Sequence, residues 1–343
     1  MRQRTPIDRR EPQTLSQSRS LMANSTPSNP GYKAGDTAGT NNLLLDIFGG
    51  EVQAAYERMT IMRDKHRVFA LTNGKSLRFP RVGRATASYH TPGTEIVGKQ
   101  IGHDEIILTS DDKLISDVFV ADIHEILNHF DIRSEYVRQL AEALAVQFDQ
   151  NAMRAVVKAA RATDLLGTSG GGAPTPVVDS AMATDATKLF DAFSKAKEAL
   201  DGKNVRVDMV DVYGLVKNLQ WYAMARSDKN LNRDYNGGDA SLRKHTLETI
   251  DGIKIVKSNI APFGNDDSAN LDIPARYRLK MGTTVGAVWT KDAIGTAEVQ
   301  GLSVQTEDQI SKQGTLILAR QMTGTDVFRA SDAVELRTGA IPA

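Results

Sequence analysis

The stretch Asp131–Ala162 reads DIRSEYVRQLAEALAVQFDQNAMRAVVKAARA. Tyr136, Leu140, Ala143, Leu144, Phe148, Ala152, Ala155, Val156 and Ala159 recur in it at three- and four-residue spacing. That period lays one apolar stripe along an α-helix. Asp131 and Glu135 sit near the start, and Lys158 and Arg161 near the end, so charge complements the helix dipole. About 30 residues rising 1.5 Å each make a rod of roughly 45 Å. A lone helix of that length serves as a strut, and the rest of the chain is read outward from it.

Charge is sorted upstream of the strut. Residues 104–149 carry eleven acids against three bases. Residues 73–103 carry five bases (Lys75, Arg78, Arg81, Arg84, Lys99) against one acid, Glu95. The basic stretch is rich in Gly and Pro and reads as a loop-mounted hairpin. Asn73-Gly74 is a hairpin-turn pair between the strand-like pieces Val68–Leu71 and Leu77–Val82. Asp122 with Glu125 three residues on approximates a capping box, which predicts a short helix there. Further up, Leu43 to Met59 shows a helical apolar pattern broken at Gly49-Gly50. Residues 1–42 show no apolar period and read as a disordered tail, and six bases face three acids over residues 1–40.

Downstream, Gly167–Pro176 is a flexible break. Leu189–Leu200 reads as a helix, Val205–Val212 as a strand and Leu215–Ala225 as a helix. Asn236–Gly238 is a loop; Ile250–Val256 and Val285–Trp289 are strand-like. Thr315–Gln321 and Val327–Arg329 read as a hairpin, and Ala333–Arg337 as a last strand. No repeat of 20–50 residues is present.

The whole chain narrows the function classes. Its 343 residues can bury a large core, and 42 basic against 42 acidic side chains leave no net charge. A dedicated nucleic-acid binder carries a basic excess. With no cysteine, disulfides, thiol catalysis and zinc–thiolate sites are excluded. No stretch approaches the ~18 consecutive apolar residues of a spanning helix, so no membrane contact is expected. The basic N-terminus lacks the apolar core of a secretory signal.

The search for catalytic chemistry returns ordinary residues, so no enzyme, cofactor or metal is expected. His124 and His129 are five apart, which turns their rings ~140° from one another on a helix; zinc needs four. Gly74-Lys75-Ser76 imitates the end of a phosphate loop, but Phe69 stands where its first glycine belongs. Asp266-Asp267 reads as a polar loop, and Trp221-Tyr222 as a core or interface anchor.

Three blocks carry a family resemblance: FGGEVQAAYERM (Phe48–Met59), NGKSLRFPRVGRATASYHTPGTEI (Asn73–Ile96) and HFDIRSEYVRQLAEALA (His129–Ala145). In sequence, order and spacing they resemble the major capsid proteins of T-seven-like, Autographivirus-type short-tailed bacteriophages. The likeness is close over about Leu43–Ala160 and looser over 180–340, where Ala293–Thr296 resembles another family block. The Gly-rich insert at 167–176 has no counterpart.

The resemblance implies an α+β, HK97-like major capsid fold. Its parts would be a disordered tail at 1–42, an N-terminal arm at 43–72, and an extended E-loop with flanking strands at 73–115. A peripheral domain would occupy 116–185 with its spine helix at 131–162, an axial domain 186–320, and strands returning to the peripheral domain 321–343. It implies hexamers and pentamers of the chain closing an icosahedral shell around double-stranded DNA. Scaffolding and portal proteins, and minor capsid or decoration proteins, would be partners. Assembly would take place in the bacterial host cytoplasm, and the shell would become part of the virion. An encapsulin-like cellular compartment shell is the alternative on the same fold.

The residues support a shell role independently. A two-stranded ribbon buries too little surface to stand alone, so the basic hairpin needs a neighbour. The acidic segment is its electrostatic counterpart, within the chain or on the adjacent copy. The candidate inter-subunit contacts are Lys75, Arg78, Arg81 and Arg84 against Asp111, Asp112 and Glu135. Each exposed pair contributes ~0–1 kcal/mol, but a closed shell repeats it many times.

Overall fold

The computed structural model describes residues 60–83, 85, 87–123, 133–164, 173–227 and 249–341. The expectations for the 1–42 tail, the Leu43–Met59 pattern, His124 to His129, Gly167 to Gly172 and Asn236–Gly238 lie outside these residues, as does Arg84. The chain divides into two compact units. Among described residues the smaller consists of Val118–Ile123 and Thr306–Ile317, and the larger of the remainder.

The larger unit is built on a six-stranded sheet in the order β5-β12-β9-β6-β8-β7. Its strands are β5 (Val177–Val178), β6 (Val212–Val216), β7 (Thr249–Ile250), β8 (Ile253–Lys257), β9 (Thr284–Thr290) and β12 (Ala333–Arg337). Helix α1 (Arg133–Arg161) packs on one face, and α2 (Ala186–Gly202) with α3 (Asn218–Ala225) on the other. Period-two alternation divides the core. Tyr213, Leu215, Ala287 and Trp289 face α1, while Val212, Val216, Val288, Val334 and Leu336 face α2 and α3. Asp185 caps α2 by accepting the Thr187 N–H at 2.8 Å. Gly214 lets α2 approach, because a Cβ there would stand 2.7 Å from the Phe193 ring.

The expected strut is present, with two kinds of environment along it. Its first half buries a stripe of Leu140, Leu144 and Phe148, while Ala143 is exposed. From Ala152 to Ala160 nearly every residue is buried, including Met153, Arg154 and Val157 off the expected stripe. The helix end lies on the sheet under β12 and is enclosed on all sides.

A second sheet runs β1-β10-β11-β4, from β1 (Arg67–Ala70), β4 (Leu114–Ala121), β10 (Ile294–Gln309) and β11 (Gly314–Val327). The third is the ribbon of β2 (Ser76–Val82) and β3 (His103–Thr109).

Several local expectations are corrected. Asn73-Gly74 does not join β1 to β2 as a hairpin. Gly74, at φ +97°, turns the chain out of the four-stranded sheet, where β1 runs parallel to β10. The expected hairpin of Thr315–Gln321 and Val327–Arg329 is the single strand β11, and the 16-residue β10 escaped notice. Its polar outer half lacks the alternation that marks a strand. Of Val205–Val212 only Val212 is in a strand, and α3 begins at Asn218, not Leu215. Ile250–Val256 is split by a turn at Asp251-Gly252, both with positive φ. The last strand forms as expected and lies inside the six-stranded sheet between β5 and β9. Its buried Val334 and Leu336 complete the core on α2.

Candidate inter-subunit interface

The β2–β3 ribbon is paired in register from Ser76↔Thr109 to Val82↔His103. Gly83 N–H donates to the Gly102 carbonyl at 2.8 Å and closes it. Among the described residues beyond that point no regular structure forms, and nearly all side chains are exposed. Tyr89 is fully exposed, and Ile96 and Val97 are 79% and 77% exposed. Large apolar groups on a projecting loop signal a surface that another molecule covers.

The ribbon is held at its base. Leu77, Phe79, Ile106 and Leu108 share one face and meet Phe69, Leu71, Ala297, Val299 and Phe328. The rings of Phe69, Phe79 and Phe328 have centroids 4.8 to 5.8 Å apart. Gly324 of β11 allows the end of β3 to cross closely, because a Cβ there would lie 2.1 Å from the Thr109 carbonyl.

A polar junction locks the same end. Arg276 donates to the Thr109 carbonyl at 2.6 Å and pairs with Asp111 at 3.1 Å. Tyr277 Oη donates to Asp111 at 2.7 Å and accepts the Thr325 N–H at 2.8 Å. Burial pushes the Asp111 carboxyl above its usual range, opposed by the Tyr277 hydrogen bond. Burial and the Asp111 charge also raise the Tyr277 phenol.

The chain of bonds continues inward. Thr325 and Thr296 hydroxyls lie 2.7 Å apart, and Thr296 lies 2.8 Å from His66 Nε2. His66 Nδ1 is 2.7 Å from the Met62 carbonyl. That carbonyl can only accept, so Nδ1 carries the proton and Nε2 accepts from Thr296. Burial holds the His66 pKa down at about 4, which keeps the ring neutral. Nearby, Asp149 accepts the Ile61 and Met62 N–H groups at 2.7 and 3.1 Å, and burial raises its pKa to about 6.

The sequence-derived contacts fall in different places. Arg78, on the outer face, pairs with Glu105 of the same ribbon at 3.1 Å. Lys75 lies 3.7 Å from Asp112, whose side chain is fully exposed. Arg81 makes two bonds, 2.9 and 3.0 Å, to Asp164. Glu135 is buried and pairs with Arg138 at 3.2 Å. Asp111 belongs to the junction, and Arg84 lies outside the described residues. The acidic segment is therefore no uniform surface. Asp164, Arg276, Tyr277 and Thr325 escaped sequence reading, since their partners are 48 to 167 residues away. Asp164 left one signal: an acid just past a helix C-terminus opposes the dipole and needs another partner.

A cleft of about 590 Å³ opens beside the junction. Leu144, Phe148 and Ile115 line it with Asp111, Asp112 and Arg154. Among the described residues no cluster of His, Asp or Glu could hold a metal ion, and no helix is long and apolar enough to cross a membrane.

Comparison with known proteins agrees with this architecture. The family model described as "Gp10A-like: Major capsid protein" matches residues 78–337. The capsid structure of the cyanophage P-SCSP1u superposes with a TM-score of 0.75 at 34% identity, covering 92% of this chain and 99% of that one. The mature capsid asymmetric unit of bacteriophage PhiM1 gives 0.72 at 17% identity, covering 92% and 100%. The minor capsid protein of Escherichia phage T7 is 27% identical, over 87% of this chain and 81% of its own length. The major capsid protein of the same phage is 42% identical over 31% of this chain and 32% of its own.

The fold is thus the α+β capsid fold of the HK97-like superfamily. The chain belongs to the Gp10A-like family of major capsid proteins. It is a structural subunit that self-assembles into the icosahedral head shell enclosing the DNA of a bacteriophage, and its place is the virion.

Proposed function

We propose that the β2–β3 ribbon and its loop act as the E-loop of this capsid subunit, reaching onto an adjacent copy in the same hexamer or pentamer. The observation that carries this reading is the exposure of Tyr89, Ile96 and Val97 on the loop beyond the ribbon. The cleft lined by Leu144, Phe148, Asp111 and Asp112 offers apolar surface and negative charge to a loop carrying Lys99. Asp112 and Arg78, both solvent-facing, remain candidates for pairing between copies. Glu135 and Lys75 lie in the same two segments.

In the same reading α1 is the spine helix, 116–185 the peripheral domain and 186–320 the axial domain. Residues 321–343 are the strands returning to the peripheral domain, a reading supported by the pairing of β12 with β5. Residues 1–42 and 43–72 are the tail and arm. Scaffolding, portal and minor or decoration proteins are the partners, with non-specific contact to packaged DNA. The phage relatives at sequence level favour this over an encapsulin-like compartment.

The test is the triple variant Tyr89→Ser, Ile96→Ser, Val97→Ser, expressed with its scaffold. Sedimentation and electron microscopy should show folded subunits that fail to form closed shells. Shells of ordinary size and yield would overturn the proposal.

A further inference from the structure

Arg81 is one of the basic residues that point to contact between copies, but its geometry is of another kind. Leu77, Phe79 and Arg81 alternate along β2 and share its inner face. The first two enter the apolar cluster at the base. Arg81 extends the same row beyond the apolar end, where Asp104 is its partner in the strand register. It reaches past Asp104 to Asp164, where its Nη2 donates to both carboxylate oxygens. Asp164 is 1% exposed and Arg81 16%, so the pair is largely withdrawn from water.

The anchoring end of this pair lies close to a tied-down helix end. Asp164 follows α1, whose last residue, Arg161, is locked onto Glu335 of the central sheet at 2.6 and 2.8 Å. A charge pair this far withdrawn from water is costly to separate, so it holds the ribbon at that point. The Arg78–Glu105 pair lies within the ribbon and cannot orient it. A ribbon held only by the apolar cluster and the junction at its base is free to swing about that base.

We propose that Arg81 and Asp164 form a clasp that ties the ribbon to the end of the long helix and sets the single angle at which the loop is presented to a neighbouring copy. Arg81 is then a positioning residue and not a docking one. The inference rests on the reading of the loop as the contact between copies.

Two conservative variants test it. Asp164→Asn keeps the size of the buried group and removes its charge. Arg81→Lys keeps the charge but changes the head group and its reach, and it serves also if Asp164→Asn does not fold. Amide hydrogen exchange on the free subunit should rise by about tenfold or more over Phe79–Val82 and His103–Ile106, and stay unchanged over Ala152–Ala160. With scaffold, the same variants should give few or misshapen particles by electron microscopy. Unchanged ribbon exchange overturns the clasp. Raised exchange with normal shells overturns it too, because the angle then does not matter to assembly. The loop triple variant separates the two ideas: if it builds normal shells, the contact reading fails whatever the clasp variants do to exchange.

Discussion

Arg161, the last residue of α1, and Glu335, in the centre of β12, lie 174 residues apart and meet in a two-bond fork of 2.6 and 2.8 Å. The Glu335 carboxylate is 1% exposed and also accepts from Thr284 Oγ1 at 2.5 Å. Arg161 further donates to the Lys280 carbonyl at 2.8 Å. Helix and sheet are thereby joined by charge as well as by apolar packing. Removing one partner of such a pair leaves the other charge buried. Arg161→Met should cost about 3–5 kcal/mol, read as a lower urea midpoint of the free subunit. Glu335→Gln should cost less, because the guanidinium keeps its carbonyl partner.

Acid sensitivity should turn on two opposed groups. His66 ionises near pH 6.5 in the unfolded chain and at about 4 in the fold. The unfolded state takes up its proton first as pH falls, so His66 removes stability between pH 6.5 and 4. Asp149 ionises at about 6 in the fold, above the 3.8 of an unperturbed aspartate. Here the fold takes up the proton first, so Asp149 adds stability as pH falls from 6 towards 4. The two nearly offset one another. Asp149→Asn should therefore lose about 3 kcal/mol relative to the parent chain between pH 7 and pH 4, and His66→Gln should gain over the same range. Urea midpoints at pH 7, 5.5 and 4 would show it; parallel pH curves for parent and variants would refute it.

Tyr277 carries a hydroxyl between an acid and a backbone donor. Tyr277→Phe leaves the Thr325 N–H without this acceptor and Asp111 with Arg276 but no phenol donor. A loss of about 1–3 kcal/mol is expected, with faster amide exchange at the end of β3. No change in exchange at Leu108 and Thr109 would show that Arg276 alone holds the junction.

Gly324 should tolerate no side chain. A methyl group there would overlap the Thr109 carbonyl at 2.1 Å and crowd Ser110 Cα at 2.7 Å, both backbone. Gly324→Ala should separate β3 from β11 and cost about 1–3 kcal/mol. Gly282→Ala, where nothing lies within 4 Å, is the matched control.

Part of the fold is legible in the sequence alone. The C-terminal end of the strut is legible to within one residue, because a 3.6-residue period repeated over about eight turns is a strong local signal. Val285–Trp289, with Val285, Val288 and Trp289, and Ala333–Arg337, where Val334 and Leu336 alternate with polar residues, are also legible as short strands. The polar half of β10 is not, since its pairing with β11 needs no apolar alternation.

The candidate contacts were legible only as charge. Sequence sorted a basic ribbon from an acidic segment and marked the ribbon as incomplete alone, because composition and period are properties of neighbouring residues. Which acid each base meets was decided in three dimensions: Arg81 takes Asp164, Arg78 takes Glu105, and Asp149 turns inward to the Ile61 and Met62 amides. Partners that span 27 to 88 positions are selected by sheet register and by the burial that makes an unpaired charge costly. Neither register nor burial exists until the chain has folded.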